Sequence, residues 1–294
     1  MRSPSFTIRF NSKRAVLLLL PFSFFLFTFA AAAQRVAILT PDNAEQSKAV
    51  AERLSEALSA RLKVIDSDLS QAAFSSKRPT DPFNMTADES KRAGSAIGCD
   101  HLILVRAANQ RRNASGRGDY YEAYAVIYVV SSRTGRLIHW ALHKYEAVNA
   151  PVAARFLDAA TPAIADEVKA KIDAISKVEV GEPPVPFMEE PPDPTSPSAK
   201  NFIAPIPFRR VKPEYTIQAA FYEVAATVEI MVDLDAAGKI LRTEIVRWAG
   251  YGLDESVDRT VRQMNWRPAE RNGKTLPMRF LLRYNFKKVD KEPL

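Results

Sequence analysis

Ten of the 20 prolines in this 294-residue sequence lie between Gly181 and Pro213. Proline fixes the backbone φ angle and has no N–H donor, so a stretch this rich in proline does not build a regular helix or a central sheet strand. The pattern predicts an extended, solvated linker over residues 177–211. The linker divides the rest of the chain after residue 33 into a domain of residues 34–176, a smaller domain of residues 212–288 and a tail of residues 289–294.

The first 33 residues have the pattern of an export leader. Four basic residues and no acidic ones precede an unbroken apolar run from Ala15 to Ala33. Ala31 and Ala33 stand before Gln34 as the small residues that signal peptidase prefers, and the run is also nearly long enough to span a hydrocarbon core. Residues 1–33 are therefore predicted to be a signal peptide cut near Ala33 or an anchor in the inner membrane formed by residues 15–33. The run has no ionisable side chain, so a retained anchor is expected to be passive.

Composition excludes several classes of function. The formal net charge is +7, but four of the positive charges lie in the first 14 residues, so nucleic-acid binding is not expected. A single cysteine, Cys99, excludes an internal disulfide and a multi-cysteine metal site. No glycine-rich phosphate loop occurs, and no nucleotide cofactor is expected.

The pattern of residues 34–176 alternates strands with helices. Short apolar runs at Val36–Leu39, Val64–Ile65 and His101–Val105 predict buried strands. Thr86 and Glu89 form a capping-box pattern for a helix that ends at Gly98. Two long strands, Tyr121–Ser131 and Arg136–Ala147, and a helix from about Val152 to Ile175 complete the expected α/β sandwich-type module.

This module resembles a known periplasmic fold. A Val-Ala-Ile-Leu opening, an alanine-rich helix ending in Ile97-Gly98-Cys99-Asp100-His101 and a hairpin with Thr134-Gly135-Arg136 are similar to the TolB amino-terminal domain and the curli-secretion lipoprotein CsgG. The resemblance implies a docking or assembly module and not an enzyme.

The smaller domain reads as β-β-α-β. Val228, Ile230, Val232 and Leu234 alternate with polar residues as in a half-buried strand, and Ile240–Trp248 returns after a turn. Leu253, Val257, Val261 and Met264 share one face of a helix, and Thr275–Phe286 is expected to be one long third strand. The whole chain is thus predicted to be an exported two-domain α+β protein.

Residues 212–287 carry a series of landmarks. In order, they are Pro213-Glu214-Tyr215, the Val228 strand, Asp235 to Gly238, Gly252-Leu253-Asp254, Trp266-Arg267-Pro268 and Asn272-Gly273-Lys274. This series resembles the carboxy-terminal domain of TonB, the energy transducer of Gram-negative envelopes. Three departures are visible: Thr216 replaces a usual proline, Ala226 a common glycine, and Met264 a usual tryptophan.

For each residue that could act in catalysis or metal binding, a structural role is the more common explanation. His139 and His143 share a strand face, but no third ligand is identifiable, and hydrogen-bonded strand histidines are the more common case. Cys99-Asp100-His101 is a poor source of a nucleophile–base pair, because adjacent strand residues point to opposite faces. Trp248, Tyr251 and Trp266 are expected to be core or turn residues. The sequence therefore predicts a protein that is not an enzyme and has no cofactor and no metal.

Strand addition is the expected mode of partner binding. A three-stranded sheet leaves an edge with unpaired backbone groups, and the strand over Thr275–Phe286 is the candidate edge. Its basic residues would attract an acidic extended peptide. The candidate partner-binding residues are Arg279, Leu281, Arg283, Asn285 and Lys287.

The resemblance to TonB implies the partners. It implies the periplasmic peptide of an outer-membrane receptor, bound in energy transduction or transport across the outer membrane. Another envelope protein, an inner-membrane motor complex and a second copy of this chain are further candidates. The alternative is an envelope scaffold or assembly protein that docks through residues 34–176. Both hypotheses place the protein in the periplasm.

Overall fold

The structure is a computed structural model that describes residues 34–77, 79–114, 116, 118–181 and 185–287. The predicted leader (residues 1–33) and tail (residues 289–294) lie outside these residues. Within the described ranges, no helix is both long enough and apolar enough to cross a membrane.

The first half of the described chain, residues 34–181, is called the N-terminal module below. Its elements are β1 (Arg35–Leu39), α1 (Glu45–Ser59), β2 (Lys63–Val64), α2 (Ser67–Ser76), α3 (Ala87–Ile97), β3 (His101–Ala114), β4 (Gly118–Ser131), β5 (Leu137–Ala147) and α4 (Ala150–Gly181). The capping box predicted for α3 is present, with Thr86 and Glu89 bonding each other's backbone, and Gly98 ends the helix in the left-handed conformation.

Five strands of the module form one sheet in the order β2-β1-β3-β4-β5. β1 runs parallel to β2 and β3, and the last three strands are antiparallel. Alternate residues of β3 enter two hydrophobic clusters, Ile103 and Val105 on one face and Leu102 and Leu104 on the other. Because both faces are buried, β3 begins with the continuous apolar run seen in the sequence.

The elements after the module are short apart from three strands and one helix. They are β6 (Phe202–Ile203), β7 (Ile206–Pro207), α5 (Ile217–Phe221), β8 (Ala226–Leu234), β9 (Ile240–Arg247), α6 (Leu253–Arg262), β10 (Trp266–Arg267), β11 (Ala269–Arg271), β12 (Lys274–Leu276) and β13 (Met278–Phe286). Residues 211–287 are called the C-terminal domain. Its main sheet has the order β13-β8-β9, which confirms the predicted mixed α+β architecture.

The strand predicted over Thr275–Phe286 is two strands in the structure. β12 pairs with β11 in a small hairpin, and β13 pairs with β8 in the main sheet. Pro277 separates them, because a residue without an N–H and with a fixed φ interrupts the ladder. The prediction of one continuous strand was wrong at this point.

The proline-rich stretch is more ordered than an extended linker. α4 continues to Gly181, five residues past the predicted boundary. Farther on, β6 pairs with β11 and β7 pairs with β10, so residues 202–207 lie against the C-terminal domain. The domain boundaries themselves remain a prediction.

The C-terminal domain packs on the face of the module's sheet that α1 and α4 leave uncovered. One hydrophobic cluster contains Leu104 and Tyr128 of the module together with Trp248, Tyr251 and Ile230 of the C-terminal domain. The ring centroids of Tyr128 and Trp248 are 5.5 Å apart, and those of Trp140 and Tyr251 are 4.8 Å apart. The two predicted domains therefore share a core.

Asn84 connects the two parts through the backbone. Its side chain is buried, its Nδ2 donates to the carbonyls of Thr227 (2.8 Å) and Trp248 (2.7 Å), and its Oδ1 accepts from the N–H of Thr227 (2.9 Å). Arg247 donates to the carbonyl of Asn84 (2.9 Å). These hydrogen bonds attach a loop of the module to the end of β9 and to the start of β8.

The loop between β9 and α6 is shaped by a close approach. Gly250 has a φ of +71°, and a Cβ built on it would lie 2.3 Å from Cδ1 of Trp140. Asp254, which is buried, accepts hydrogen bonds from the N–H groups of Ala249 (2.9 Å) and Gly250 (2.8 Å). Burial raises the pKa of Asp254 to about 7, although these two hydrogen bonds act in the opposite direction.

Gly250→Ala is expected to destabilise the protein by about 3 kcal/mol, because it adds a left-handed alanine and a clash with Trp140. Gly273→Ala is the matched control, since its φ of +76° is similar but open space surrounds it. That change is expected to cost about 1 kcal/mol. Urea unfolding of both variants gives the comparison, and equal losses would show that the contact with Trp140 carries no energy.

Asp254 is expected to make stability depend on pH. Its pKa is about 7 in the folded chain against a usual 3.8, so between these values the folded chain holds a proton that the unfolded chain releases. The free energy of unfolding should therefore fall as pH rises from 5 to 7, by at most about 1.4 kcal/mol per pH unit, and then level off. Asp254→Asn should remove this slope. A slope that persists in the variant would contradict the assignment.

Candidate partner-binding edge

β13 is the outer strand of the C-terminal sheet. It pairs with β8 from Met278 to Phe286 without a register shift. In the described part of the chain, no strand pairs with its other side. β13 is therefore an edge strand, as the sequence predicts, while the opposite edge strand, β9, is held at one end by the module.

The backbone groups that face outward can be identified from one hydrogen bond. The N–H of Arg279 donates to the carbonyl of Glu189 (2.8 Å), so this N–H points away from β8. In an antiparallel strand with an unbroken register, the backbone N–H and C=O groups of alternate residues point toward the partner strand and away from it. The outward groups of β13 therefore belong to Arg279, Leu281, Arg283 and Asn285, four of the five predicted partner-binding residues.

Side chains alternate along the same strand. Those of Leu281, Arg283 and Asn285 are exposed, while Phe280 and Leu282 pack against the shared core. Leu281 is 45% exposed, a high value for a large apolar side chain in a strand. Lys287 is also exposed and directly follows the strand.

The two arginines of the edge are paired inside the sheet. Arg279 makes a bidentate pair with Asp233, at 2.7 Å for both bonds, and Arg283 bonds Glu229 (2.7 Å). Arg247 of β9 lies 3.4 Å from the same Glu229. Both carboxylates belong to β8 and are almost fully buried. The arginines thus neutralise carboxylates of the central strand. The expectation that their charge attracts an acidic peptide did not include these pairs.

The sequence contained a signal for this pairing. Glu229 and Asp233 fall on the polar face of the alternating β8 pattern, where cross-strand charge pairs form. The other partners could not be assigned before the register was known. Asn285 is also engaged, because its Oδ1 accepts from the hydroxyl of Thr227 (2.8 Å).

The histidines face one carboxylate. Nε2 of His139 lies 3.0 Å from Oε1 of Glu167, on α4, and Nε2 of His143 lies 3.7 Å from Oε2 of the same residue. Burial lowers the pKa of both imidazoles. No group of three His, Cys, Asp or Glu residues among those that the structure describes is arranged to hold a metal ion.

Cys99 and His101 do not form a reactive pair. Cys99 is buried, its Sγ lies 3.3 Å from the hydroxyl of Ser132, and burial raises the pKa of the thiol. His101 is buried, its charged neighbours include Glu179 of α4 and Asp100, and burial lowers the pKa of its imidazole. Neither residue has the environment of an activated nucleophile or base.

The comparisons with known proteins concern the C-terminal domain first. Residues 211–287 match the family model described as Gram-negative bacterial TonB protein C-terminal. They form a TonB C-terminal domain. No curated protein matches the chain.

Several solved structures resemble parts of the chain. The solution structure of the TonB C-terminal domain from Pseudomonas aeruginosa is 17% identical, with 30% of this chain and 90% of that chain covered and a TM-score of 0.26. The lipoprotein GNA1162 from Neisseria meningitidis is 14% identical, with 45% and 99% covered and a TM-score of 0.32. The C-terminal domain of LpoB from Salmonella enterica is 13% identical, with 40% and 85% covered and a TM-score of 0.28.

One departure of this TonB C-terminal domain from the expected pattern has a local role. Thr216 stands where a proline is usual. Its Oγ1 accepts from the N–H of Ala219 (3.1 Å), which caps α5, and donates to the carbonyl of Tyr251 (2.6 Å). A proline has no side-chain hydroxyl for either bond. Thr216 therefore fixes the loop that packs on the module.

Arg279→Gln is expected to destabilise the sheet by about 3 kcal/mol, because it leaves the buried carboxylate of Asp233 without its bidentate partner. Arg283→Gln is the control and should cost about 1 kcal/mol or less, because its guanidinium is 61% exposed and Glu229 keeps Arg247. Chemical denaturation of the full chain measures both. A loss at Arg283 as large as that at Arg279 would contradict this account.

Proposed function

We propose that this chain is a non-enzymatic protein of the Gram-negative envelope whose TonB C-terminal domain binds an extended partner peptide by strand addition. The observation that carries the proposal is the outer side of β13, which presents backbone groups without a strand partner in the described chain. A peptide laid along this side would gain main-chain hydrogen bonds at alternate residues. The binding residues are Arg279, Leu281, Arg283, Asn285 and Lys287.

The partner follows from the family. The TonB resemblance favours the periplasmic segment of an outer-membrane receptor, and thus a role in energy transduction or transport across the outer membrane. Paired arginines leave little free charge on this edge, so affinity would come from backbone bonds and from contact with the exposed Leu281. The protein would act in the periplasm, either released after Ala33 or held by residues 15–33.

A scaffold function is the second candidate, and the shared core favours it. The C-terminal domain covers a face of the module's sheet, so the two parts are held together by buried side chains and not only by a linker. A scaffold would bind its partner through the N-terminal module. Such binding would not depend on the outer side of β13.

Leu281→Pro should block strand addition without unfolding the sheet. The N–H of Leu281 faces outward, so proline removes no bond to β8 but obstructs an added strand. Binding of synthetic peptides that copy the periplasmic amino-terminal segments of outer-membrane receptors from the same organism is measured by fluorescence polarisation. The protein is the full chain expressed with its own leader. Affinity should fall about ten-fold or more.

Leu282→Pro is the matched control for the fold. Its N–H faces β8, so proline there removes a ladder bond and is expected to lower the melting temperature strongly. Leu281→Pro should melt close to the wild type. Unchanged peptide binding by a folded Leu281→Pro chain would refute strand addition at β13 and favour the scaffold.

A further inference from the structure

A short part of the proline-rich stretch already lies against the start of the β13 edge. The carbonyl of Glu189 accepts the outward N–H of Arg279 at 2.8 Å, the bond that an added strand would make there. We call residues 186–190 the strap. The strap is thus placed as the first residues of a competing strand would be.

The side chain of Glu189 makes a second contact. Its Oε1 lies 2.5 Å from Nη2 of Arg271, on β11. The guanidinium of Arg271 also lies over the ring of Phe202, 5.5 Å from its centroid, which holds it in position. The carboxylate of Glu189 therefore contacts Arg271, which lies on β11 and not in the main sheet that contains β13.

Arg271 has unused capacity for a ligand. Its Nε–H is buried and has no acceptor among the described residues. A carboxylate that binds a guanidinium in the bidentate manner takes two donors, and Glu189 takes one. A carboxylate from another strand could satisfy both donors.

The strap can leave without exposing a core. Five of the six residues from 185 to 190 are exposed, and Phe187 is 96% exposed. The strap is held by the backbone bond and by a charge pair that water reaches, both of which are individually weak, and the charge of Glu190 also acts on Arg279. A partner that makes a longer run of backbone bonds would outcompete it.

We propose that the strap is an internal competitor for the β13 edge, and that Arg271 is the residue that recognises an acidic side chain of the incoming peptide. This inference rests on the proposed strand addition and specifies its partner. The peptide is extended and places an Asp or Glu where Glu189 now lies. Binding then exchanges one acidic segment for another at the same arginine.

The test uses the strap's own sequence as the probe. One synthetic peptide copies residues 185–191, Val-Pro-Phe-Met-Glu-Glu-Pro, and a second carries glutamine at the position of Glu189. Binding of both to the full chain is measured by fluorescence polarisation for wild type, Glu189→Gln and the double variant Glu189→Gln/Arg271→Gln. Glu270→Gln, an equal charge change beside Arg271, is the control.

Glu189→Gln is expected to bind both peptides about two- to five-fold tighter than wild type, because its own strap competes less well. It should prefer the glutamate peptide over the glutamine peptide, and Arg271→Gln should abolish that preference. Glu270→Gln should behave as wild type. Amide exchange should show Arg279 more protected than Leu281 in the free chain, and both protected with peptide.

Equal binding by wild type and Glu189→Gln would overturn the competition, and equal binding of the two peptides by Glu189→Gln would overturn recognition by Arg271. A gain in Glu270→Gln as large as in Glu189→Gln would reduce the effect to general electrostatics and also overturn it. Receptor segments that fail to bind while the copied peptide shows the expected preferences would refute the proposed partner and leave this inference standing. Receptor segments that bind Glu189→Gln and wild type with the same affinity would refute this inference and leave the proposed partner standing.

Discussion

The five-stranded sheet is apolar on both faces, and this constraint determines how the rest of the chain is arranged. α1 and α4 cover one face, where Ile103 and Val105 are fully buried. The other face holds Leu102, Leu104 and Tyr128, and α2 and α3 cover only part of it. A sheet with an open apolar face is unstable in water, so something has to cover the remainder. The C-terminal domain does so, and this fixes its position in the molecule.

That docking leaves the two edges of the C-terminal sheet unequal. The β9 edge lies near the module, where Asn84 binds Thr227 and Trp248 and where Thr86 bridges to Arg247. β13, on the far side of β8, has no strand on its outer side among the described residues, and the strap lies at its start. The inequality is a consequence of packing, since the sheet alone has two similar edges. A binding function at β13 therefore depends on the module as well as on the sequence of the strand itself.

Local features of the fold could be predicted from the sequence, because their causes are local. The capping box at Thr86, the alternation along β8 and the apolar run of β3 all correspond to elements of the structure. Docking could not be predicted, because it depends on contacts such as Gly250 with Trp140 that are distant in the sequence. The break between β12 and β13 has a local cause that is visible in the sequence, because Pro277 has no N–H to continue the ladder.

The candidate site was predicted only in part, for the same reason. The β13 edge and its alternate residues follow from a period of two, which the sequence shows. The partners of Arg279 and Arg283 depend on register with β8, and register is a property of the assembled sheet. Without that register, both arginines look like free positive charge. With it, their charge is committed to Asp233 and Glu229.

The charge of these two arginines therefore serves the fold. Arg279 and Arg283 stabilise a central strand that carries buried carboxylates. This pairing does not recognise the side chains of a partner peptide. Backbone bonds add affinity but no selectivity, since every peptide offers the same groups. Selectivity then has to come from a residue beside the edge with a donor to spare, and Arg271 meets that requirement.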